Sequence, residues 1–347
     1  MSDDFGGGDE IRFERRGRAG VVTLTRAKAL NALTHCMVNA LARALDAWRD
    51  DTSVELVVVR AEGRAFCAGG DIVDVYKAGR EGRLLSAFFA DEYRLNAAIA
   101  AFPKPYVALI DGIVMGGGVG ISAHGSHRVV TENAVFAMPE VGIGFFPDVG
   151  GSHFLPRLKG AVGMYLALTG NRIRWGDQLS AGIATHAVPA DRLDELEGQL
   201  AGGDIESAFA GLTQAPAPET GQQTWQAIDR HFAGDCLDAM LQELRADTES
   251  EFAAKTLATI EKRSPTSLRV TFRQIVEGRG RQMPECMNME FRILNRMLAG
   301  HDFYEGIRAV VIDKDNAPQW QPPTLDEVSS EAVDAYFAPL GEGELGL

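Results

Sequence analysis

Cysteine is scarce in this chain: four in 347 residues, Cys36, Cys67, Cys236 and Cys286, far apart and with no C-x-x-C pair. That pattern excludes a disulfide framework and a structural zinc site, and it predicts reduced thiols and a cytoplasmic location. The seven histidines, His153 among them, show no H-E-x-x-H or other metal spacing, so no metal centre is expected. No apolar run is long enough to cross a bilayer, so no membrane role is expected. The opening decapeptide, "MSDDFGGGDE", has neither an apolar h-region nor an Arg-rich amphipathic pattern. It reads as a flexible acidic tail over residues 1–10, not a targeting segment. Basic residues are outnumbered, 34 Lys and Arg against 48 Asp and Glu, for a net charge of −14. That balance argues against general nucleic-acid binding but leaves room for a polyanionic small ligand at a local basic patch. Three motifs are also missing: a G-x-S-x-G elbow, a dinucleotide G-x-G-x-x-G and a P-loop. Serine-triad, dinucleotide and nucleotide-phosphate chemistry therefore have no support.

What is present is an alternation of strands and helices. "IRFERRG" and "AGVVTLTR" read as two strands around a short turn, and residues 36–50 have helical periodicity. "VELVVVRAE" is a buried β-branched strand, "GRAFCAGGD" a loop, and residues 84–102 a helix. "YVALIDG" and "HRVVTE" are further strands on either side of a glycine run. This order predicts an α/β core over residues 11–205. Residues 206–223 read as a linker, and the chain beyond as mainly helical, so a boundary is expected near 205 with a helical region over 206–347.

Two glycine turns and three acids carry the candidate chemistry. "IDGIVMGGGVGIS" places Gly116–Gly118 between a strand and a helix start, and "RAFCAGGDI" places Gly69 and Gly70 after another strand. Such turns are either tight packing corners or places where backbone N–H groups meet an anion. Asp71 is placed to cap the turn that follows. In "LLSAFFADEYRLNAAIAAF", Glu92 shares one helical stripe with Leu85, Phe88, Leu95 and Ile99. It is either a stripe-edge acid reaching water or a carboxylate aimed into a pocket. "FAMPEVGIGFFPDVGG" is apolar and glycine-rich, yet it holds Glu140 and Asp148. Buried acids are costly and so mark functional sites. For Glu140 the alternative is a turn acid after Pro139; for Asp148 it is an N-cap of a helix beginning at Val149.

The segments "KALNAL", "AFCAGGDI", "DGIVMGGGVG" and "MPEVGIGFFPDVGG" resemble the enoyl-CoA hydratase/isomerase (crotonase) superfamily. "DEYRLN", "SPTSL", "ALTGNRI", "AGIATH" and the tail "GHDFYEGIRAVVIDKD" narrow the resemblance to its 3-hydroxyisobutyryl-CoA hydrolase branch, over about residues 11–340. Ala27 stands where many relatives carry proline before "KALNAL", and Gly70 where many carry alanine.

The resemblance implies a crotonase-like spiral of ββα units with a helical C-terminal region. It also implies an acyl-CoA substrate, with CoA as part of the substrate and no separate cofactor. By position, the Gly70 and Gly117 amides form the oxyanion hole. Glu140 matches one hydratase glutamate, while the other falls at Gly120. Asp148 replaces a hydratase glycine. Glu92, Gly117, Glu140 and Asp148 match substrate-contact positions, and Lys28 and Lys314 are placed to meet CoA phosphates. The implied activity is hydrolysis of a short-chain 3-hydroxyacyl-CoA, 3-hydroxyisobutyryl-CoA of valine breakdown. The alternatives are an enoyl-CoA hydratase/isomerase and a non-catalytic acyl-CoA binder. A homo-oligomer is compatible with all three.

Overall fold

A computed structural model describes residues 4–347. The chain divides into two compact units, each assembled from separated segments. The first runs up to Asp71, then takes Asp91–Phe136 and Ile173–Glu219; the second takes Ile72–Ala90, Ala137–Arg172 and Thr220–Leu347. The division is therefore not the linear one expected near residue 205. Contacts, not chain order, group the segments, and 206–219 belongs with the first unit.

Among the described residues, nine strands form two sheets. They are β1 (Ile11–Arg16), β2 (Ala19–Leu24), β3 (Leu56–Ala61), β4 (Ala65–Cys67), β5 (Tyr106–Ile110), β6 (Ile113–Met115), β7 (His127–Val130), β8 (Val135–Ala137) and β9 (His186–Ala187). The larger sheet has the order β1-β2-β3-β5-β7-β9 and the smaller β4-β6-β8. After the β1–β2 hairpin, successive strands thus alternate between the two sheets. β3/β4, β5/β6 and β7/β8 each contribute one strand to each layer, and the pairs β2–β3, β3–β5 and β5–β7 are parallel. This is the ββ repeat of a spiral.

The β-branched composition of "VELVVVRAE" explains its place: Val57, Val58 and Val59 are fully buried in the middle of the larger sheet. One face of that sheet, with Val21, Val58, Val107 and Val129, closes on Leu196, Leu200, Phe209 and Leu212. The second unit is mostly helical. Its longest helices are Pro265–Gly278 and Met283–Leu298, each with a proline in its first turn. Among the described residues, no helix is long and apolar enough to cross a membrane.

Three local expectations change. "GRAFCAGGD" is expected as loop throughout, but Ala65–Cys67 is a strand, because it pairs with β6, a partner far away in sequence. A helix at Ile72–Arg80 lies in a stretch given no assignment from the sequence, and a short one at Ile205–Phe209 runs into the stretch read as a linker. The N-terminal tail is tied down as far as it is described: Phe5 packs edge-on against Phe13 and Trp48, and its carbonyl accepts from Arg43 Nη1 at 2.8 Å. Residues 1–3 lie outside the described residues.

Candidate active site

In the first unit the two glycine turns leave neighbouring parallel strands of the smaller sheet. β4 leads into Gly69–Gly70 and β6 into Gly116–Gly117, so both turns emerge at the same sheet edge. Gly69 and Gly116 adopt φ of +122° and +46°, which favour glycine. The turns nearly touch: a Cβ on Gly117 would lie 3.4 Å from Gly69 C, and one on Gly118 only 2.3 Å from Cys67 O.

The "KALNAL" segment holds the first turn in place. Asn31 Nδ2 donates to the carbonyls of Glu62 and Ala65, both at 2.8 Å. Ala68 N–H donates to Leu30 O at 3.0 Å, Leu33 N–H to Gly69 O at 2.8 Å and Asp71 N–H to Leu33 O at 2.9 Å. None of these bonds uses the Gly70 N–H. At the second turn, the Val119 and Gly120 amides close back on Gly116 O, again leaving out the Gly117 N–H at the start of the helix. Two adjacent backbone donors outside the hydrogen-bond ladders are what an oxyanion hole needs. Asp71 is taken up by Arg26, at 3.0 Å.

Glu92, on the Ser86–Ala100 helix, is 2% exposed and does not reach water. A Cβ at position 117 would lie 2.6 Å from its Oε1, so the carboxylate stands beside the glycine turn. The stripe-edge reading, with the carboxylate in water, does not hold.

The second unit holds the other two acids. Glu140, 6% exposed, opens the short Glu140–Ile143 helix, and Asp148 is 4% exposed. Burial pushes the Glu140 carboxyl well above its ordinary range, and the charge of Asp148 adds to that shift. Glu140 Oε2 has no hydrogen-bond partner among the described residues. A carboxyl with a raised proton affinity and an open oxygen can serve as a base or a nucleophile.

Asp148 is not the N-cap of a helix at Val149. The helix begins at Gly151, and its free amides are taken by an acid from elsewhere in the unit. Glu290, fully buried on the Met283–Leu298 helix, accepts from Gly150 N at 2.8 Å, from Ser152 N at 2.9 Å and from Ser152 Oγ. Just before them, between Asp148 and Gly150, Val149 has a φ of +50°, a left-handed conformation rare for a β-branched residue. Such a residue stores about 1–3 kcal/mol and persists only where its surroundings impose it. Gln274 Nε2 donates to Pro147 O at 2.6 Å, and the Pro265–Gly278 helix comes so near that a Cβ on Gly278 would lie 1.9 Å from Ser152 O. Burial raises the Glu290 carboxyl to about 8, against the pull of its three donors, and Asp148 adds to the rise.

The "SPTSL" and "GHDF" segments lock the turn that carries Glu140. Ser264 Oγ donates to Asp302 Oδ2 at 2.6 Å, Gln321 N–H to Asp302 Oδ1 at 2.8 Å, and a Cβ on Gly144 would lie 2.1 Å from Asp302 O.

Sequence reasoning missed Glu290 and Asp302. Glu290 had the same signal as Glu92, an acid on an apolar stripe with Met283, Met287, Leu294 and Met297. The basic residues expected at the CoA phosphates, Lys28 and Lys314, are both exposed. The four cysteines are free thiols.

The sequence profile of the family described as enoyl-CoA hydratase/isomerase matches residues 19–337. A relative from Danio rerio, named 3-hydroxyisobutyryl-CoA hydrolase, mitochondrial, is 47% identical over 355 residues, covering 98% of this chain and 92% of the relative. Two solved structures share the fold. One, titled a carnitinyl-CoA dehydratase from Mycobacterium thermoresistibile, is 41% identical with a TM-score of 0.91, covering 97% of this chain and 98% of that one. The other, titled an enoyl-CoA hydratase from Rhodobacter sphaeroides 2.4.1, is 40% identical with a TM-score of 0.90, covering 97% and 100%. The architecture is thus the crotonase-like α/β spiral with a helical C-terminal region.

The expected cytoplasmic location is corrected by these comparisons, because the Danio rerio relative is named as mitochondrial. Free thiols separate oxidising from reducing compartments and do not choose among the reducing ones. Profile, full-length relative and fold agree, and the chain belongs to the enoyl-CoA hydratase/isomerase family.

Proposed function

We propose that this protein hydrolyses the thioester of a short-chain 3-hydroxyacyl-CoA, 3-hydroxyisobutyryl-CoA, to the free hydroxyacid and CoA. The observation that carries this reading is the buried Glu140–Asp148 pair, which stands at the two positions where the resemblance expects the hydrolase acids. The name and full-length coverage of the Danio rerio relative supply the acyl group.

In this reading the Gly70 and Gly117 N–H groups receive the thioester oxygen as it takes on negative charge. Ionised Glu140 either removes a proton from the attacking water or attacks the carbonyl carbon, forming a mixed anhydride that water opens. On both routes the C–S bond breaks, the thiolate leaves and is protonated, and one water is consumed. Asp148 orients the water and keeps the proton affinity of Glu140 high. Glu92 accepts a hydrogen bond from the substrate 3-hydroxyl, which favours hydroxyacyl over plain acyl groups. Lys28 and Lys314 supply positive charge for the CoA phosphates. The chemistry calls for no resident cofactor.

The titles of the two solved structures favour a second reading, a hydratase or dehydratase. Gly120 speaks against it, since the resemblance places the second lyase acid at that position. A panel of acyl-CoA esters read by free thiol, with crotonyl-CoA hydration assayed in parallel, decides. Thiol release greatest with 3-hydroxyisobutyryl-CoA supports hydrolysis. Hydration without thiol release overturns it, and binding without either leaves a non-catalytic acyl-CoA binder.

A further inference from the structure

We propose that Glu290 is a positioning residue for the reaction: it holds the strained Asp148–Ser152 elbow in place and so aims the Asp148 carboxylate. The inference rests on the hydrolase reading, in which Asp148 works beside Glu140.

Three features of the elbow lead to this. First, its backbone departs from what its residues prefer. Val149 and Gly150 take φ of +50° and +89° in succession, and a valine does not hold that conformation unaided. Second, the bonds that hold it converge on one group. The Gly150 amide, the Ser152 amide and the Ser152 hydroxyl all donate to the Glu290 carboxylate, one oxygen taking the first and the other taking the second and third. Ordinarily the N-cap side chain itself would serve the start of the Gly151–Phe154 helix, but Gly150 has no side chain. Third, an acid is a costly choice for this task. Glu290 is fully buried and lies within the field of Asp148, which raises its proton affinity further. A neutral acceptor would hold a helix start at lower cost. A carboxylate binds amide and hydroxyl donors on both of its oxygens, which a single hydroxyl does not do.

The elbow is also confined from outside. Gln274 holds Pro147 O, and Gly278 leaves room for Ser152 O. Glu290 is thus the acidic member of a shell that also holds the Gln274 amide and Gly278. Because Asp148 is two residues from Gly150, small changes in the bonding of Gly150 turn the Asp148 side chain. A misplacement on the order of 1 Å costs about 10²-fold in rate.

The test uses the full chain with 3-hydroxyisobutyryl-CoA as substrate and free thiol as the readout. Glu290→Gln keeps the volume but replaces one acceptor oxygen with a donor, leaving an amide of the elbow unpaired. Expected is a fall in kcat of about tenfold or more with KM within roughly twofold of wild type. The same change made in an Asp148→Asn background is expected to add less than about twofold, because Glu290 acts through Asp148. Ser152→Ala, which removes only the hydroxyl, repeats the pattern on a smaller scale. It decides the matter if Glu290→Gln does not fold. Unchanged kcat in both variants overturns the proposal. So does a loss that multiplies in full with that of Asp148→Asn, which marks a general effect on the fold. A wild-type protein that releases no thiol from any hydroxyacyl-CoA instead removes the hydrolase reading, and this inference with it.

Discussion

The Glu92 carboxylate occupies the space that any side chain at position 117 would need: a Cβ there would lie 2.6 Å from Glu92 Oε1 and 3.0 Å from Leu33 Cδ1. The φ of Gly117 is ordinary, so a Cβ here is opposed by the ends of the Glu92 and Leu33 side chains and not by the backbone. Gly117→Ala is therefore expected to displace the Glu92 carboxylate and crowd the Gly117 amide beside it. Loss of one oxyanion donor costs about 10²–10³ in kcat. Steady-state thiol release and a thermal melt measure the two effects, and unchanged kcat would remove the Gly117 amide from the mechanism.

Glu92→Gln keeps the shape and removes the charge. The expected loss is larger for 3-hydroxyisobutyryl-CoA than for isobutyryl-CoA, by the worth of a hydrogen bond to a charged group, roughly 1.5–3 kcal/mol. The ratio of kcat/KM for the two esters is the measurement. Equal losses would leave Glu92 with a packing role only.

Asp148 bears on the pH profile. Its charge raises the proton affinity of Glu140, on top of the larger effect of burial. Glu140 acts in its ionised form, so activity is expected to climb with pH through its raised pKa. Asp148→Asn removes the like charge, lowers that pKa and moves the acid limb of kcat/KM to lower pH. Remaining activity is expected to fall by about 10²-fold or more if Asp148 also places the water. An acid limb that stays in place in the variant would break the link between the two acids. Asp148→Gly is expected to be just as inactive, with little change in melting temperature, because Asp148 is not the N-cap residue of the helix that follows.

Linkage gives a stability counterpart at Glu290. Its folded-state carboxyl titrates at about 8, above the roughly 4.3 of an unfolded glutamate. The folded state therefore binds the proton more tightly, and stability declines as pH rises from about 4.3 towards 8. Glu290→Gln is expected to flatten that part of the curve. Melting temperatures of both proteins from pH 5 to pH 8 check it, and parallel curves would refute a raised Glu290.

Gly278 tests the shell around the elbow by bulk alone. A Cβ there would fall 1.9 Å from Ser152 O, so Gly278→Ala must shift a helix or the elbow. The expected cost is about 1–3 kcal/mol of stability, with a loss of activity. Gly198→Ala, in an exposed helix position with open space, is the control and is expected to gain up to about 1 kcal/mol.

Part of the candidate site is legible in the sequence. Glycine clusters after strands, and acids set in apolar stretches, stand out because each is costly unless it has a task. Glu140 and Glu92 were visible for that reason. Glu290 carried the same mark but lay far from any recognisable motif, and nothing local linked it to residue 150. The strand character of Ala65–Cys67 was hidden too, since three residues beside glycines have weak local preference and gain their ladder only from β6.

By itself the sequence determined the α/β class, the two glycine turns and the acids Glu92, Glu140 and Asp148, because periodicity, glycine placement and buried charge are local properties. Only the tertiary structure decided that Gly150 and not Asp148 is the N-cap of the helix that follows, that Glu92 is buried beside Gly117, and that Glu290 reaches 138–140 positions along the chain to hold Gly150 and Ser152. Those relations join residues remote in the chain. Hydrogen-bond demand and close packing, which are satisfied only in three dimensions, select them.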